Sequence, residues 1–387
     1  MKFSTKVKQS GNNNHYTRSI QLSSSVHFTS LTDYRAAGKG QPVVGGQTAA
    51  SMDNGYGLQG NATLHALQDS VSQLEKGDDT LLFPSGMTAL SALEVFLEKG
   101  DHWLLPDSVY FCVLRFAGYL KERFGITFDL YNPRDMSTLT RAIKKKTKLI
   151  HIETPSSITF DVTDVNKIVK IAKSHKILTS ADNTWASGVL YHPLDHGVDI
   201  SIVSLTKYAA GYSDVFMGSI TTRNAAVYKK IAYHHRVYGY TVSPFSAMLV
   251  SRGLESLKIR LFSEGVNALK LIKIIKNHKK ISKIYYLDPE KEKDFSGPNS
   301  LFSVELDRPY ADSELEKVFS QLSTYKIGES WGGTRSLVLP FQPNEFTSRF
   351  VPIKNTIIRF HSGLEDIALQ RADIQLFLKA LEKVGDK

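Results

Sequence analysis

The stretch DISIVSLTKYAAGYSD, residues 199–214, places a lysine just beyond a short apolar run. The run DISIV has the length and the β-branched content of a buried strand. Lys207 follows it, with the hydroxyl residues Ser204 and Thr206 in between. A lysine in this position is either a solvated strand end or a nucleophile whose pKa has been lowered by its surroundings. The rest of the chain has to decide between the two.

Residues 61–250 alternate helix-like and strand-like segments, including the strands TLLF, HWLLP, TFDLY, KLIHIE and ILTSAD. Such alternation predicts an α/β domain with a mostly parallel sheet. Residues 251–387 mix helices with strands such as SLFSVELD, which predicts a smaller second domain of α+β type. Residues 1–60 show little periodicity, so we expect an N-terminal arm that is ordered only against something else.

Composition narrows the class of protein. The chain has 387 residues, 42% of them hydrophobic and 22% charged, which is typical of a globular protein with room for two domains. No apolar run approaches the roughly 20 residues of a membrane helix, and the N-terminus lacks the apolar core of a secretory signal. Cys112 is the only cysteine, which excludes an internal disulfide and a Cys-rich zinc site. We therefore expect a cytoplasmic protein without a metal or a membrane partner.

The formal net charge of +10 comes largely from lysine runs at 144–148 and 271–283. Apolar residues alternate with the lysines of the second run at helical spacing, as on a solvated amphipathic helix. No nucleic-acid-binding motif accompanies either run. The charge therefore predicts solubility and weak attraction to anions, without a nucleic-acid partner.

Four predicted strands end in short polar loops, and the carboxyl ends of parallel strands meet at one edge of a sheet. The loop after TLLF enters a helix, whose first N–H groups can bind an anion. Asp182 ends another strand, and Lys207 follows a third. A phosphate site, a carboxylate and an amine are what pyridoxal phosphate needs for its phosphate, its ring nitrogen and its aldehyde. The sequence therefore predicts a pyridoxal-phosphate site at this edge.

The same segments resemble the pyridoxal-phosphate enzymes of cysteine and methionine metabolism. FPSGMTAL, ETPSSITFDV, ADNTWASGVLYHPLDHGVD, SLTKYAAGYSDVFMG and IGESWGGTRSLVLP follow one another in that family's order, and the resemblance runs from residue 56 to residue 366. It implies the aspartate-aminotransferase fold type, with a mostly parallel seven-stranded sheet, helices on both faces and a smaller C-terminal α+β domain. It also implies a homotetramer built from dimers that share active sites.

The resemblance also implies roles for individual residues. Lys207 would carry the imine link to pyridoxal phosphate and later move a proton, while Asp182 would pair with the pyridinium nitrogen. Tyr110 would stack on the pyridine ring. The phosphate would be bound by the backbone N–H groups of Gly86 and Met87 and by the hydroxyls of Ser204 and Thr206. The Tyr56 phenol of the neighbouring subunit would also bind it.

On the substrate side, the resemblance assigns Arg359 to the substrate carboxylate, and Ser330 and Trp331 to the lining. Ser157-Ile158, Trp185 and Trp331 are typical of the branch of the family that cleaves at Cβ. The implied reaction is the elimination of homocysteine from L-cystathionine, with release of pyruvate and ammonia. A relative that acts at Cγ remains an alternative.

Three positions depart from the family pattern. Leu58 stands where an arginine usually meets the phosphate of the next subunit, Arg335 replaces an acidic residue, and Tyr212 replaces a histidine. Loss of a charge-assisted hydrogen bond at residue 58 would weaken cofactor binding by about 1.5–3 kcal/mol. A pyridoxal-phosphate-binding homologue with impaired activity is therefore a further alternative.

Two motif matches point elsewhere. GYGLQG, residues 55–60, fits the dinucleotide-binding fingerprint, but the preceding GGQTAASMDN does not look like a strand. GYSDV, residues 211–215, begins like a hydrolase nucleophile elbow but lacks the closing glycine. His27, His234, His235 and His361 are expected to be surface or packing residues, and no HExxH occurs.

Overall fold

The computed structural model describes residues 19–37, 56–345, 350 and 352–384. These residues form a large α/β unit followed by a smaller α+β unit. Within the described ranges, no helix combines the length and the apolar character that crossing a membrane requires.

Seven strands form the sheet of the large unit, in the order β1-β7-β6-β5-β4-β2-β3. Strand β7 is antiparallel to both of its neighbours, and all the other strands run in one direction. The predicted fold, a mostly parallel seven-stranded sheet, is confirmed. The strands are β1 Asp79–Phe83, β2 His102–Pro106, β3 Thr127–Tyr131, β4 Thr147–Glu153, β5 Leu178–Asp182, β6 Ile200–Val203 and β7 Gly218–Thr222.

Helices cover both faces of this sheet because its central strands are apolar on both sides. Along β4, Ile150 and Ile152 pack into one hydrophobic cluster, while Leu149 packs into the cluster on the opposite face. The helices of this part are α1 Leu31–Ala37, α2 Ala62–Glu75, α3 Gly86–Ser91, α4 Phe111–Phe124, α5 Met136–Ala142, α6 Val165–Ser174 and α7 Ala225–Val237.

The second unit has a five-stranded sheet in the order β10-β11-β12-β9-β8, antiparallel except for the short β10–β11 pair. Phe302 and Phe360 stack at its centre with ring centroids 5.1 Å apart. Its elements are α8 Pro244–Ile275, β8 Ile281–Tyr285, β9 Leu301–Leu306, α9 Asp312–Phe319, β10 Lys326–Ile327, β11 Leu337–Phe341, β12 Ile357–His361 and α10 Ile367–Val384.

Helix α8 joins the two units. It runs unbroken for 32 residues, so the division placed at residue 250 by the sequence falls inside it. Ser243 caps its first turn, and Pro244 occupies its first position, where a missing N–H does no harm.

The described part of the N-terminal arm contacts helix α2 of the large unit, where the Gln21 N–H donates to the Thr63 hydroxyl oxygen at 2.9 Å. The arm also folds back on itself. Ser25 forms a β-bridge with Tyr56, and the Gly57 N–H donates to the Ser24 carbonyl at 2.8 Å. A Cβ at Gly57 would lie 2.7 Å from that carbonyl oxygen, so glycine permits the close approach. The remainder of the predicted arm, residues 1–18 and 38–55, lies outside the described residues.

Candidate active site

The candidate site lies at the edge where β1, β4, β5 and β6 end. These four strands run in the same direction, since β1 and β6 are both antiparallel to β7. Each is buried along most of its length and leads into a polar loop. The geometry predicted from the strand ends is therefore present.

Lys207 reaches from the loop after β6 towards the second unit. Its Nζ donates to the Ser330 hydroxyl at 2.8 Å and lies 5.4 Å from the centre of the Trp331 ring. Burial, and then the charge of Arg359, lower the pKa of Lys207 to about 8. An amine with this pKa has an appreciable uncharged fraction near neutral pH, as a nucleophile or a base requires. These contacts and the lowered pKa favour the interpretation of Lys207 as a nucleophile over that of a solvated strand end.

Arg260 of α8 fixes the loop that carries Lys207 by hydrogen bonds to main-chain carbonyls. Its Nη2 donates to the carbonyl oxygens of Tyr208 at 2.8 Å and Gly253 at 2.9 Å. Gly211 has φ +77°, and a Cβ there would overlap the Arg260 guanidinium. This anchoring arginine was not identified from the sequence.

Asp182 ends β5, and its Oδ1 accepts the Thr184 N–H at 2.9 Å. Burial raises the pKa of Asp182, while the Thr184 hydrogen bonds and the charge of Lys207 act in the opposite direction. A carboxylate in this position can hold a proton on a basic ring nitrogen, which would offset the desolvation of both groups.

Glu153 is a second carboxyl at this edge, and the sequence reasoning missed it. It pairs in register with Asp182 on the neighbouring strand and is 5% exposed. Burial, and then the Asp182 carboxylate, raise the pKa of Glu153 to about 8. The signal available in the sequence was an acidic residue closing the apolar run KLIHI, since a buried acid needs a partner.

The first turn of α3 and the loop after β6 form a cradle for an anion. Ser85 caps α3 by accepting the Thr88 N–H at 3.0 Å, and the N–H groups of Gly86 and Met87 lie in the first turn, where helices leave such donors unpaired. A Cβ at Gly86 would lie 2.7 Å from the Ser204 Oγ, so only glycine leaves this space open. The donor set and the cradle fit a phosphate group.

Thr206 differs from the other members of the predicted phosphate set. Its hydroxyl donates to the Met217 carbonyl at 3.2 Å and accepts the Met217 N–H at 3.0 Å. This hydroxyl therefore closes the 206–217 loop, and its proton is already engaged with the main chain.

Two predicted aromatic contributors are both accessible. Tyr110 precedes α4, is 38% exposed and has its N–H bound to Glu153. Burial of its hydroxyl raises the pKa of Tyr110, so the group is a phenol at neutral pH. Tyr56 is paired with Ser25, and no described contact joins it to Lys207 within the chain.

Arg359 lies on β12 and is buried. Its Nη2 donates to the Glu329 carbonyl at 2.7 Å, and its Nη1 donates to the Ser157 carbonyl at 3.4 Å. Burial lowers the pKa of Arg359 to about 10, with the Glu329 carboxylate acting in the opposite direction. The guanidinium therefore stays charged at neutral pH and can bind a carboxylate beside Lys207.

The two tryptophans singled out in the sequence lie in different places. Trp331 lies beside Lys207 and contacts the Tyr208 ring, with centroids 5.3 Å apart. Trp185 is buried in the core, edge-on to Phe295 with centroids 5.6 Å apart. Of the two, Trp331 is the one that the structure brings to the amine.

His361 is a packing residue, as expected. Its Nδ1 is bonded to the Ser300 hydroxyl at 2.8 Å and its Nε2 to the Gly333 carbonyl at 2.7 Å. Burial lowers the pKa of His361 to about 4, so it is neutral at physiological pH. Among the described residues, no group of three or more His, Cys, Asp or Glu side chains is placed to bind a metal ion.

Comparisons with known proteins identify the family and the cofactor class. The family described as Cys/Met metabolism PLP-dependent enzymes matches residues 4–379. An L-alanine/L-glutamate racemase of Wolbachia pipientis is 33% identical over 95% of this chain and 93% of its own length. A cystathionine β-lyase of Escherichia coli is 30% identical over 96% of this chain and 97% of its own length.

A solved structure shares the fold. A cystathionine γ-synthase from Xanthomonas oryzae pv. oryzae superposes with a TM-score of 0.84 at 26% identity, covering 96% of both chains. The names of these relatives state different reactions. The match favours pyridoxal phosphate over the dinucleotide and hydrolase interpretations of the two short motifs. With Lys207, Asp182 and the α3 cradle at one sheet edge, the chain belongs to the Cys/Met metabolism family of pyridoxal-phosphate-dependent enzymes.

Proposed function

We propose that this chain is a carbon–sulfur lyase that cleaves the Cβ–S bond of L-cystathionine and releases homocysteine, pyruvate and ammonia. The observation that carries the proposal is the position of the Lys207 amine, between Ser330 and Trp331 and next to the charge of Arg359. The β-lyase relatives, at 30–33% identity over most of the chain, support the choice of bond.

The cofactor-side residues would bind and orient pyridoxal phosphate. When bound, the cofactor supplies an aldehyde that captures the substrate amine and a ring that accepts the charge developed at Cα. Asp182 would keep a proton on the ring nitrogen, and Tyr110 would cover the ring. The phosphate would be bound by Gly86, Met87 and Ser204. Thr206 would join them only by turning its hydroxyl proton from the Met217 carbonyl to the phosphate.

Lys207 would perform the proton transfers. Its lowered pKa lets the free amine take the proton from the substrate Cα. As the Cβ–S bond breaks, the sulfur leaves with the bonding electron pair, and the Lys207 ammonium returns the proton to it. Water then hydrolyses the remaining three-carbon fragment to pyruvate and ammonia.

The substrate-side residues would bind the two ends of the amino acid. Arg359 would pair with the α-carboxylate, and Ser330 and Trp331 would line the path beside Lys207. The negative charge of Glu329 acts to raise the pKa of both Lys207 and Arg359, so this charge lies in the same region as the two cations. A negative charge there suits a substrate that carries a second ammonium group at its far end, as cystathionine does.

The second candidate is amino-acid racemisation, favoured by the Wolbachia relative with its 33% identity. Racemisation begins with the same removal of the Cα proton by Lys207, but the proton returns to the opposite face and no C–S bond breaks. Cleavage at Cγ, the reaction type of the γ-lyase and γ-synthase structures, would use the same residues.

Product analysis tests the proposal. The purified protein is supplied with pyridoxal phosphate and, in separate reactions, with L-cystathionine and L-alanine, and Lys207→Ala is the control. We expect pyruvate with homocysteine from L-cystathionine. Release of 2-oxobutyrate with cysteine would establish Cγ cleavage, and D-alanine without any keto acid would establish racemisation. Bound cofactor without either product would identify an impaired homologue, as Leu58 and Arg335 suggest.

We also propose a homotetramer in the cytoplasm. Tyr56 is 56% exposed on the arm, where it could reach the phosphate of a neighbouring subunit. Sedimentation of the cofactor-bound protein tests the assembly. A Tyr56→Phe variant with unchanged cofactor affinity would argue against a shared active site.

A further inference from the structure

Glu153 is a buried carboxyl to which the proposed chemistry gives no role. It ends β4, next to Asp182 on β5, and only 5% of its surface is exposed. A buried acid is expensive to desolvate, and strands rarely end in one unless it has partners. The partners in this structure are two main-chain N–H groups from different loops.

The two carboxyl oxygens each bind one loop of the site. Oε2 accepts the Tyr110 N–H at 2.7 Å, and Oε1 accepts the Ser157 N–H at 3.2 Å. The Ser157 carbonyl in turn accepts a hydrogen bond from Arg359 Nη1 at 3.4 Å. One side chain thus connects Tyr110, on the cofactor side, with Arg359, on the substrate side.

We propose that Glu153 is a positioning residue that holds Tyr110 against the cofactor and, through Ser157, holds Arg359 in place for the substrate carboxylate. Glutamate suits this role because the two oxygens of its carboxyl group, on a two-methylene stem, reach N–H donors on opposite sides. Glutamine offers one acceptor oxygen and would set an N–H group against an N–H group. Aspartate keeps both oxygens but is shorter by one methylene.

The chain offers a matched control at the opposite end of the same sheet. Asp199 precedes β6, and its Oδ2 accepts the Thr179 N–H at 2.8 Å. It is also a carboxylate that holds a main-chain N–H. Because it lies at the amino ends of β5 and β6, the Asp199→Asn variant disturbs the sheet without touching the site.

The test compares Glu153→Gln, Glu153→Asp and Asp199→Asn with the unaltered holoenzyme. The readouts are the cofactor dissociation constant, the circular dichroism of the bound cofactor in the visible range, KM and kcat for L-cystathionine, and the melting temperature. For Glu153→Gln we expect cofactor affinity to fall about tenfold, KM to rise about tenfold and the visible dichroism to change, with a smaller change in kcat. Glu153→Asp, the milder variant if Glu153→Gln fails to fold, should move the same readouts less far.

A purely structural role would give a different result. Glu153→Gln and Glu153→Asp would then lower the melting temperature, as Asp199→Asn does, and leave cofactor affinity, dichroism and KM unchanged. That outcome would overturn the proposal. The two cofactor measurements do not depend on which bond the enzyme breaks, so they test Glu153 even if L-cystathionine is not the substrate.

Discussion

A half-buried cation, Lys207, and a buried cation, Arg359, lie near enough for the charge of one to lower the pKa of the other, and they come from different regions of the molecule. Lys207 belongs to the edge of the seven-stranded sheet, and Arg359 belongs to β12 of the second unit. Burial lowers the pKa of Lys207 to about 8 but that of Arg359 only to about 10. The first can therefore exchange protons near neutral pH, whereas the second is a fixed charge. From this comparison we propose that the region of Lys207 does the chemistry and the region of Arg359 binds the substrate.

The largest effect should follow from removing the titrating cation. We expect Lys207→Ala to lower turnover at least about 10⁴-fold, because the nucleophile and the base are lost together. Keto-acid release under saturating cofactor measures this effect. Lys279→Ala is the control, since that side chain is 66% exposed and pairs only at the surface with Glu382. Comparable turnover in the two variants would refute the role of Lys207.

Changing the fixed cation should affect binding more than chemistry. In Arg359→Lys, the planar guanidinium that donates to two carbonyls is replaced by a point charge. We expect KM to rise about 100-fold, in line with roughly 2–5 kcal/mol for a buried charged contact, and kcat to change much less. Steady-state kinetics on L-cystathionine measure KM and kcat for Arg359→Lys and for the unaltered protein. A fall in kcat at constant KM would contradict the division between the two regions.

The Trp331 side chain beside Lys207 should determine whether the Cβ–S or the Cγ–S bond of the substrate breaks. Both rings belong to one buried cluster, but Trp331 lies 5.4 Å from the amine whereas Trp185 packs edge-on against Phe295. We expect Trp331→Leu to shift the ratio of pyruvate to 2-oxobutyrate about tenfold, since one altered apolar contact changes discrimination by about 1–3 kcal/mol. Trp185→Phe should lower the melting temperature and leave that ratio unchanged. The reverse pattern would show that Trp185 governs the choice of bond.

The smallest effect concerns stability of the cofactor-free protein. The pKa of Lys207 falls from 10.5 when unfolded to about 8 when folded, so between these values the unfolded chain binds more protons. The free energy of unfolding should therefore rise as the pH increases from about 8 to 10.5. Below pH 8 the folded state bears the whole cost of burying the charged amine. The half-buried amine keeps part of its hydration, so we expect about 1 kcal/mol.

Denaturant titrations of Lys207→Met and of the unaltered protein at pH 7 and pH 10 measure this effect. The variant should be the more stable of the two at pH 7, and the difference should shrink at pH 10. A difference that is independent of pH would mean that the amine is not desolvated.

The sheet edge could be predicted from the sequence because its signals are local. An apolar run followed within a few residues by Asp182 or Lys207 indicates a strand end wherever the chain goes afterwards. The supporting contacts have no local signal. Glu153 binds the N–H of a residue 43 positions away, and Arg359 binds a carbonyl 202 positions away.

The sequence also gives no local sign that one helix continues past residue 250. Helix α8 carries apolar residues at helical spacing through residue 250, and Gly253, which could have marked a division, lies inside the helix. Nor could the sequence separate Trp331 from Trp185, because packing in three dimensions decides which ring meets the amine.

The most direct test of the account is to locate the covalent attachment of the cofactor. The holoenzyme is reduced with borohydride, which fixes the imine, and the digested peptides are analysed by mass spectrometry. We expect a single phosphopyridoxyl group on the peptide that contains Lys207, with none in the Lys207→Ala variant. A stoichiometric label on another lysine, such as one in the run at 144–148, would contradict the assignment of the active site to this sheet edge.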